Sequence, residues 1–160
     1  MKTLDYQNAI TELETAFDDI VYAIKSVARV RLDIIDEPMD SYTILQKHFD
    51  ETHRLLLSTV GCETSCYTKQ GNMNFRAWHD YCHVTHRRGF DTKSELFVVQ
   101  EQYQVLAGMG LSDEALCIFQ ADTEGQVEYY ALHKEFVKDQ QRFINLCLQV
   151  GINKAVELKQ

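Results

Sequence analysis

Apolar side chains recur by fours and threes along most of this chain. The clearest row is Tyr6, Ile10, Leu13, Phe17, Ile20, Ile24 and Val27, which draws one apolar stripe along about six turns of helix. The same seam would suit a coiled-coil homodimer, but the amphipathic helices that follow favour packing within one bundle. A second helix is predicted to open at Asp40 or Ser41 and to run to Val60. Its inward residues are Leu45, Phe49, Leu56 and Val60, with His48 and His53 nearby and Gly61 as the stop. Residues 62–73, rich in Thr, Ser, Gly and Asn, read as a loop.

Asn74 is the expected cap of a histidine-rich helix over 75–88, ended by Gly89. The next helix starts at Asp91 or Thr92, where Thr92 and Glu95 have the spacing of a capping box. It continues through Leu96, Val99, Tyr103 and Leu106 to the break at Gly108-Met109-Gly110. Ser112 caps a helix carrying Leu116, Phe119, Val127 and Tyr130. Gly125 within it costs about 1 kcal/mol relative to alanine and marks either a kink or a close approach. A last helix covers 137–150 with Phe143 and Leu146 inward, Gly151 ends it, and a short amphipathic tail follows.

One proline and seven glycines leave few breakers in 160 residues. With the helical rows, this predicts an all-α fold: a single-domain bundle of about six helices spanning 1–160. No repeat, low-complexity tract or linker divides it. No run of about 18 apolar residues is present to span a membrane. The start, Met-Lys-Thr-Leu-Asp-Tyr-Gln, has no apolar signal core. Five cysteines without framework spacing suit reduced thiols, so a cytoplasmic location is expected. Cys62 and Cys66 are four apart, a spacing open to a metal or a disulfide but simplest as bystander thiols. The net charge of −8 argues against a nucleic-acid partner. The pair Arg87-Arg88 is more simply placed at a helix C-terminus, where cations meet the dipole.

Chemistry concentrates in Arg76-Ala77-Trp78-His79-Asp80-Tyr81-Cys82-His83-Val84-Thr85-His86. On a helix, His79, Cys82, His83 and His86 share one side. Half of the six histidines fall here, and neutral imidazole is the commonest protein ligand for zinc, copper, nickel and iron. His79 and His83, at i and i+4, can grip one ion from a single helix. Asp80 lies where zinc proteases of this spacing carry a glutamate. One methylene shorter, it is better suited to bonding an outer ring nitrogen or to pairing with Arg76. Glu95, brought near by the short Gly89-Phe90-Asp91 connection, is the candidate third ligand, unless it merely completes the capping box. Two histidines and one carboxylate would leave positions open for water or substrate, as catalytic zinc and non-haem iron sites require. His86 and, from a late helix face made by Asp122, Gln126, Tyr129 and His133, His133 are further candidates. Cys82 reads as a small buried apolar group and Trp78 as core packing.

The run Phe75-Arg76-Ala77-Trp78-His79-Asp80-x-x-His83, then Gly89-Phe90-Asp91, Glu95 and Gln100, resembles a group of uncharacterised bacterial and phage proteins. They share a His-Asp-x-x-His, Gly-Phe, Glu, Gln pattern. Gly125-Gln126-Val127-x-Tyr129-Tyr130 and Phe136-x-x-Asp139-Gln140-x-x-Phe143 look like the second block of that group, so the likeness covers about residues 75–145. It implies that His79, Asp80, His83, Glu95, Gln126 and Asp139 belong together, and implies no particular reaction. A weaker likeness is to the all-α HD-domain phosphohydrolases, which hold a metal with His, His-Asp and a distant Asp. His53, His79-Asp80 and either Asp122 or Asp139 follow that order here.

Two functions follow as expectations. The first is a metal-dependent enzyme, a hydrolase, in which His79, His83 and Glu95 bind zinc, manganese or iron and Asp80 takes part in catalysis. The second is a non-catalytic helical protein of phage or mobile-element type that binds a host protein, any metal being structural. A homodimer through the first helix is compatible with either.

Overall fold

Short polar side chains set where the helices begin. Ser41, Thr68, Ser112 and Asp139 each accept a hydrogen bond from a backbone N–H three residues on, at Ile44, Gly71, Ala115 and Arg142, which satisfies donors that have no intrahelical partner. The computed structural model describes residues 5–64 and 66–159. Among them are eight α-helices: α1 (Tyr6–Ser26), α2 (Tyr42–Thr52), α3 (Lys69–His86), α4 (Thr92–Gly108), α5 (Asp113–Asp122), α6 (Glu124–His133), α7 (Gln140–Val150) and α8 (Ile152–Glu157). The fold is mostly helical, as expected. No helix of the described residues is long and apolar enough to cross a membrane.

Residues 27–60 depart from expectation. They hold two strands, β1 (Arg31–Ile35) and β2 (Arg54–Ser58), and β2 replaces the end of the long second helix foreseen to Val60. The cause is His53. It adopts φ 54°, and its N–H closes on Phe49 O, which ends α2 after Thr52. The chain then extends, and Leu55 and Leu57 are buried alternately, a strand period hidden inside a short apolar run. The strands pair in parallel, from Arg31 opposite Arg54 to Ile35 opposite Ser58. Arg54 Nε donates to Asp33 at 2.8 Å, and His48 Nε2 lies 3.0 Å from the same carboxylate, so α2, β1 and β2 are tied at one point.

The chain divides into two units: Glu14–Val98, and the described residues of Met1–Leu13 with Val99–Gln160. In the first, Phe17 is fully buried, with ring centroids 5.2 Å from Tyr67, 5.6 Å from Phe75 and 6.1 Å from Trp78. Phe17 and Ile24 are buried, as are Ile10 and Leu13 at the other end of the seam. Val27 is 81% exposed, because the helix ends at Ser26.

Helix α3 begins five residues before Asn74, at Lys69. The polar stretch that reads as a loop can coil because it has partners. Glu14 accepts from Thr68 N at 2.5 Å, Asn72 Nδ2 donates to Cys62 O and Asn74 Nδ2 to Asp18. Gly71 leaves room for the Glu14 contact, since a Cβ at that position would displace the Glu14 carboxylate.

In the second unit, Glu12 accepts from both the N–H (2.7 Å) and the hydroxyl of Ser112. The helix foreseen across Gly125 is broken at Thr123 into α5 and α6. A Cβ on Gly125 would lie 3.1 Å from the Phe143 ring, so this glycine marks a close approach, while the break falls two residues earlier, at Thr123. Tyr129 and Phe143 pack edge to face at 5.6 Å in the core.

Candidate metal centre

The turn between α3 and α4 builds this site. Arg87 takes a left-handed conformation, φ 51°, and its N–H bonds to His83 O. The chain reverses within a few residues. Asp91 then caps α4 by accepting from Ser94 N at 3.1 Å and from the Ser94 hydroxyl at 2.7 Å. Capping by Asp91 leaves the Glu95 side chain to face α3, which decides between its two expected roles.

Three donor atoms meet there. His79 Nε2 lies 3.0 Å from His83 Nε2 and 3.0 Å from Glu95 Oε2, and His83 Nε2 lies 3.3 Å from Glu95 Oε2. Among the described residues, His79, His83 and Glu95 form the one group of three whose donor atoms could hold a metal ion. The His83 side chain is fully buried, while those of His79 and Glu95 are 18% and 22% exposed. The site is therefore closed at His83 and approachable beside the other two.

His83 is oriented from behind. Its Nδ1 lies 2.9 Å from Arg88 O, and a carbonyl can only accept, so Nδ1 carries the hydrogen. In the neutral ring, the lone pair is then on Nε2, inside the triangle. Aromatic rings pack on both imidazoles: Phe90 stands perpendicular to His83 at 5.0 Å and Phe75 lies tilted by 34° at 5.5 Å from His79.

Three lone-pair atoms at these separations repel unless a proton or a cation lies between them. Burial would raise the Glu95 carboxyl, but hydrogen bonds and charge from His79 and His83 outweigh it and bring it to about 2. A metal ion would supply the same compensation without protonating the rings. Asp80 is part-buried, and desolvation pushes its carboxyl up to about 6 against the pull of His79 and His83. It senses all three candidate ligands yet is not one of the clustered donors.

The other candidates have local partners. Arg76 Nη1 donates to Val60 O at 2.6 Å and to Ser58 O, anchoring the end of β2, and its charge reaches Asp80. His86 is exposed with its ring on Phe97. His53 Nε2 is 3.0 Å from Ala28 O. In the second unit, Gln126 Nε2 donates to Asp122, His133 Nε2 lies 2.7 Å from Val156 O, and Asp139 caps α7. Cys82 and Trp78 are buried, as packing residues would be. Sequence reasoning missed the Arg88 carbonyl and the Phe75 and Phe90 walls. Only the short turn after His86 hinted at the carbonyl, since it must return the backbone past the histidines. Comparison with protein-family models, curated proteins and solved structures finds no match for this chain.

Proposed function

We propose that the protein binds one divalent first-row metal ion at His79, His83 and Glu95 and acts as a small metal-dependent hydrolase. The observation that carries this reading is the triangle of two imidazole nitrogens and one carboxylate oxygen with edges of 3.0, 3.0 and 3.3 Å. Zinc, manganese and iron all accept this donor set. A bound ion would acidify a water towards neutral pH and polarise a substrate oxygen. Asp80, one residue from His79 and desolvated, is the group this reading assigns to take a proton from that water and pass it to a leaving group. Arg76 steadies the local charge, and His83, held by Arg88 O, keeps its donor nitrogen aimed inward.

The test is metal analysis of protein purified without a histidine tag, followed by turnover of nitrophenyl carboxylic and phosphoric esters in the presence of zinc, manganese or ferrous ion. Near one equivalent of metal, and turnover lost in Asp80→Asn with metal retained, is the expected result. Less than about a tenth of an equivalent, with no change in melting on adding each ion, would defeat the reading.

A second reading is a helical interaction protein whose metal is structural. One observation favours it: Phe136, 73% exposed, stacks on the 42% exposed Tyr130 at 4.7 Å, an apolar surface of the kind that partners cover. His79→Ala separates the two. An enzyme loses turnover while staying folded, whereas a structural site melts markedly lower without its ligand.

A further inference from the structure

The donor separations say more than that an ion fits. Three donors on one side of an ion lie on a circle whose radius depends on coordination geometry. For bonds of about 2.1 Å, that radius is about 1.7 Å for three adjacent corners of an octahedron and about 2.0 Å for three corners of a tetrahedron. A triangle with edges of 3.0, 3.0 and 3.3 Å has a radius of about 1.8 Å, nearer the octahedral value. Two of its edges equal the distance of about 3.0 Å between adjacent octahedral donors, and the third, 3.3 Å, lies nearer the tetrahedral spacing of about 3.4 Å, so it is the radius of the whole triangle that favours six-coordination.

The surroundings agree. His79 and His83 come from one turn of α3 and Glu95 from the first turn of α4, so two adjoining helices supply all three donors. His83 is sealed by Arg88 O and Phe90. The partial exposure lies at His79 and Glu95, which is where solvent or a further ligand would reach the ion.

We propose that His79, His83 and Glu95 hold a six-coordinate cation on one face, as manganous, ferrous or cobaltous ion prefers, rather than a four-coordinate zinc. Three mutually adjacent positions then remain, two of which accept a chelating oxygen ligand such as a hydroxamate or a 2-oxo acid. This inference rests on the reading of the triangle as a metal site.

Cobaltous ion is the probe. Equilibrium dialysis of the full chain reports whether the ion binds, and the visible spectrum reports its geometry, because six-coordinate cobalt absorbs weakly and four-coordinate cobalt intensely. Stoichiometric binding with a weak spectrum that shifts when acetohydroxamate is added is the expected result. Glu95→Gln should weaken binding by more than about tenfold while keeping the fold. An intense four-coordinate spectrum overturns the inference and leaves the metal reading standing. Failure to bind cobalt, with Glu95→Gln indistinguishable from the parent chain, overturns both.

Discussion

His83 donates its Nδ1–H to Arg88 O at 2.9 Å, and this bond to the backbone fixes which nitrogen faces Glu95. The ring is fully buried while His79 keeps 18% of its side chain exposed. Replacing each by alanine should therefore have unequal effects on the metal-free protein. His83→Ala opens a cavity and leaves the Arg88 carbonyl without its donor, a loss of about 2–4 kcal/mol. His79→Ala removes a partly solvated ring and should cost about 1 kcal/mol. Urea denaturation in the presence of a chelator measures both, and equal losses would contradict the orienting role given to His83.

Metal affinity should fall with acidity, and the sign follows from the donors. Imidazole ligates only when neutral, so protons compete with the ion as pH falls. Glu95 contributes nothing to this limb until far lower pH, since its carboxyl sits at about 2 beside His79 and His83. Cobalt dialysis at pH 7.5 and 5.5 should show a loss of affinity of more than about tenfold. A flat profile would mean that the ion is not held by two imidazoles.

What could be read from sequence divides by how far each residue's partner lies along the chain. The caps at Ser41 and Ser112 bond three residues ahead, so composition within one turn reveals them. The His79–His83 pair is likewise one helical turn. Glu95 was legible only as two alternatives, because Asp91, not Thr92, turned out to satisfy the start of α4. The start of α3 depends on Glu14, fifty-four residues from the N–H that it accepts at Thr68, and no local pattern carries that. The strand at Leu55–Leu57 failed for another reason: three consecutive leucines fit a helix as well as a strand, and only His53 in its left-handed conformation decides. Gln126, His133 and Asp139 shared a helical face or a motif block with other candidates. Their bonds stay within their own unit: Gln126 reaches Asp122 on the same face, His133 lies on Val156 O, and Asp139 accepts from Arg142 N.

The Glu14–Gly71 contact predicts an inversion of sign. Alanine is the better helix former by about 1 kcal/mol, so Gly71→Ala in α3 ought to stabilise. In the native protein, the new Cβ would push the Glu14 carboxylate off Thr68 N. Loss of that charge-assisted bond, about 1.5–3 kcal/mol, should make Gly71→Ala destabilising by about 1 kcal/mol. In a Glu14→Ala background the same change should stabilise by a similar amount. A double-mutant cycle read by urea melts checks this, and additive effects would mean that the two residues do not touch in solution.

Acid sensitivity should arise at the strand pair. The hydrogen bond from Arg54, aided by His48, lowers the Asp33 carboxyl from its ordinary 3.8 to about 2, although desolvation opposes it. A folded-state value below the unfolded one means that the charged form favours the fold. The contribution is complete above about pH 4 and is lost as pH falls from there towards 2. Arg54 stays protonated throughout, so the loss belongs to Asp33. Asp33→Asn should lower stability at neutral pH and flatten this part of the acid limb, because it removes the titrating group while keeping the shape. Melting temperatures of the two proteins followed from pH 6 to 2 should converge at the acid end. Parallel curves across that interval would show that the Asp33–Arg54 pair does not join β1 to β2.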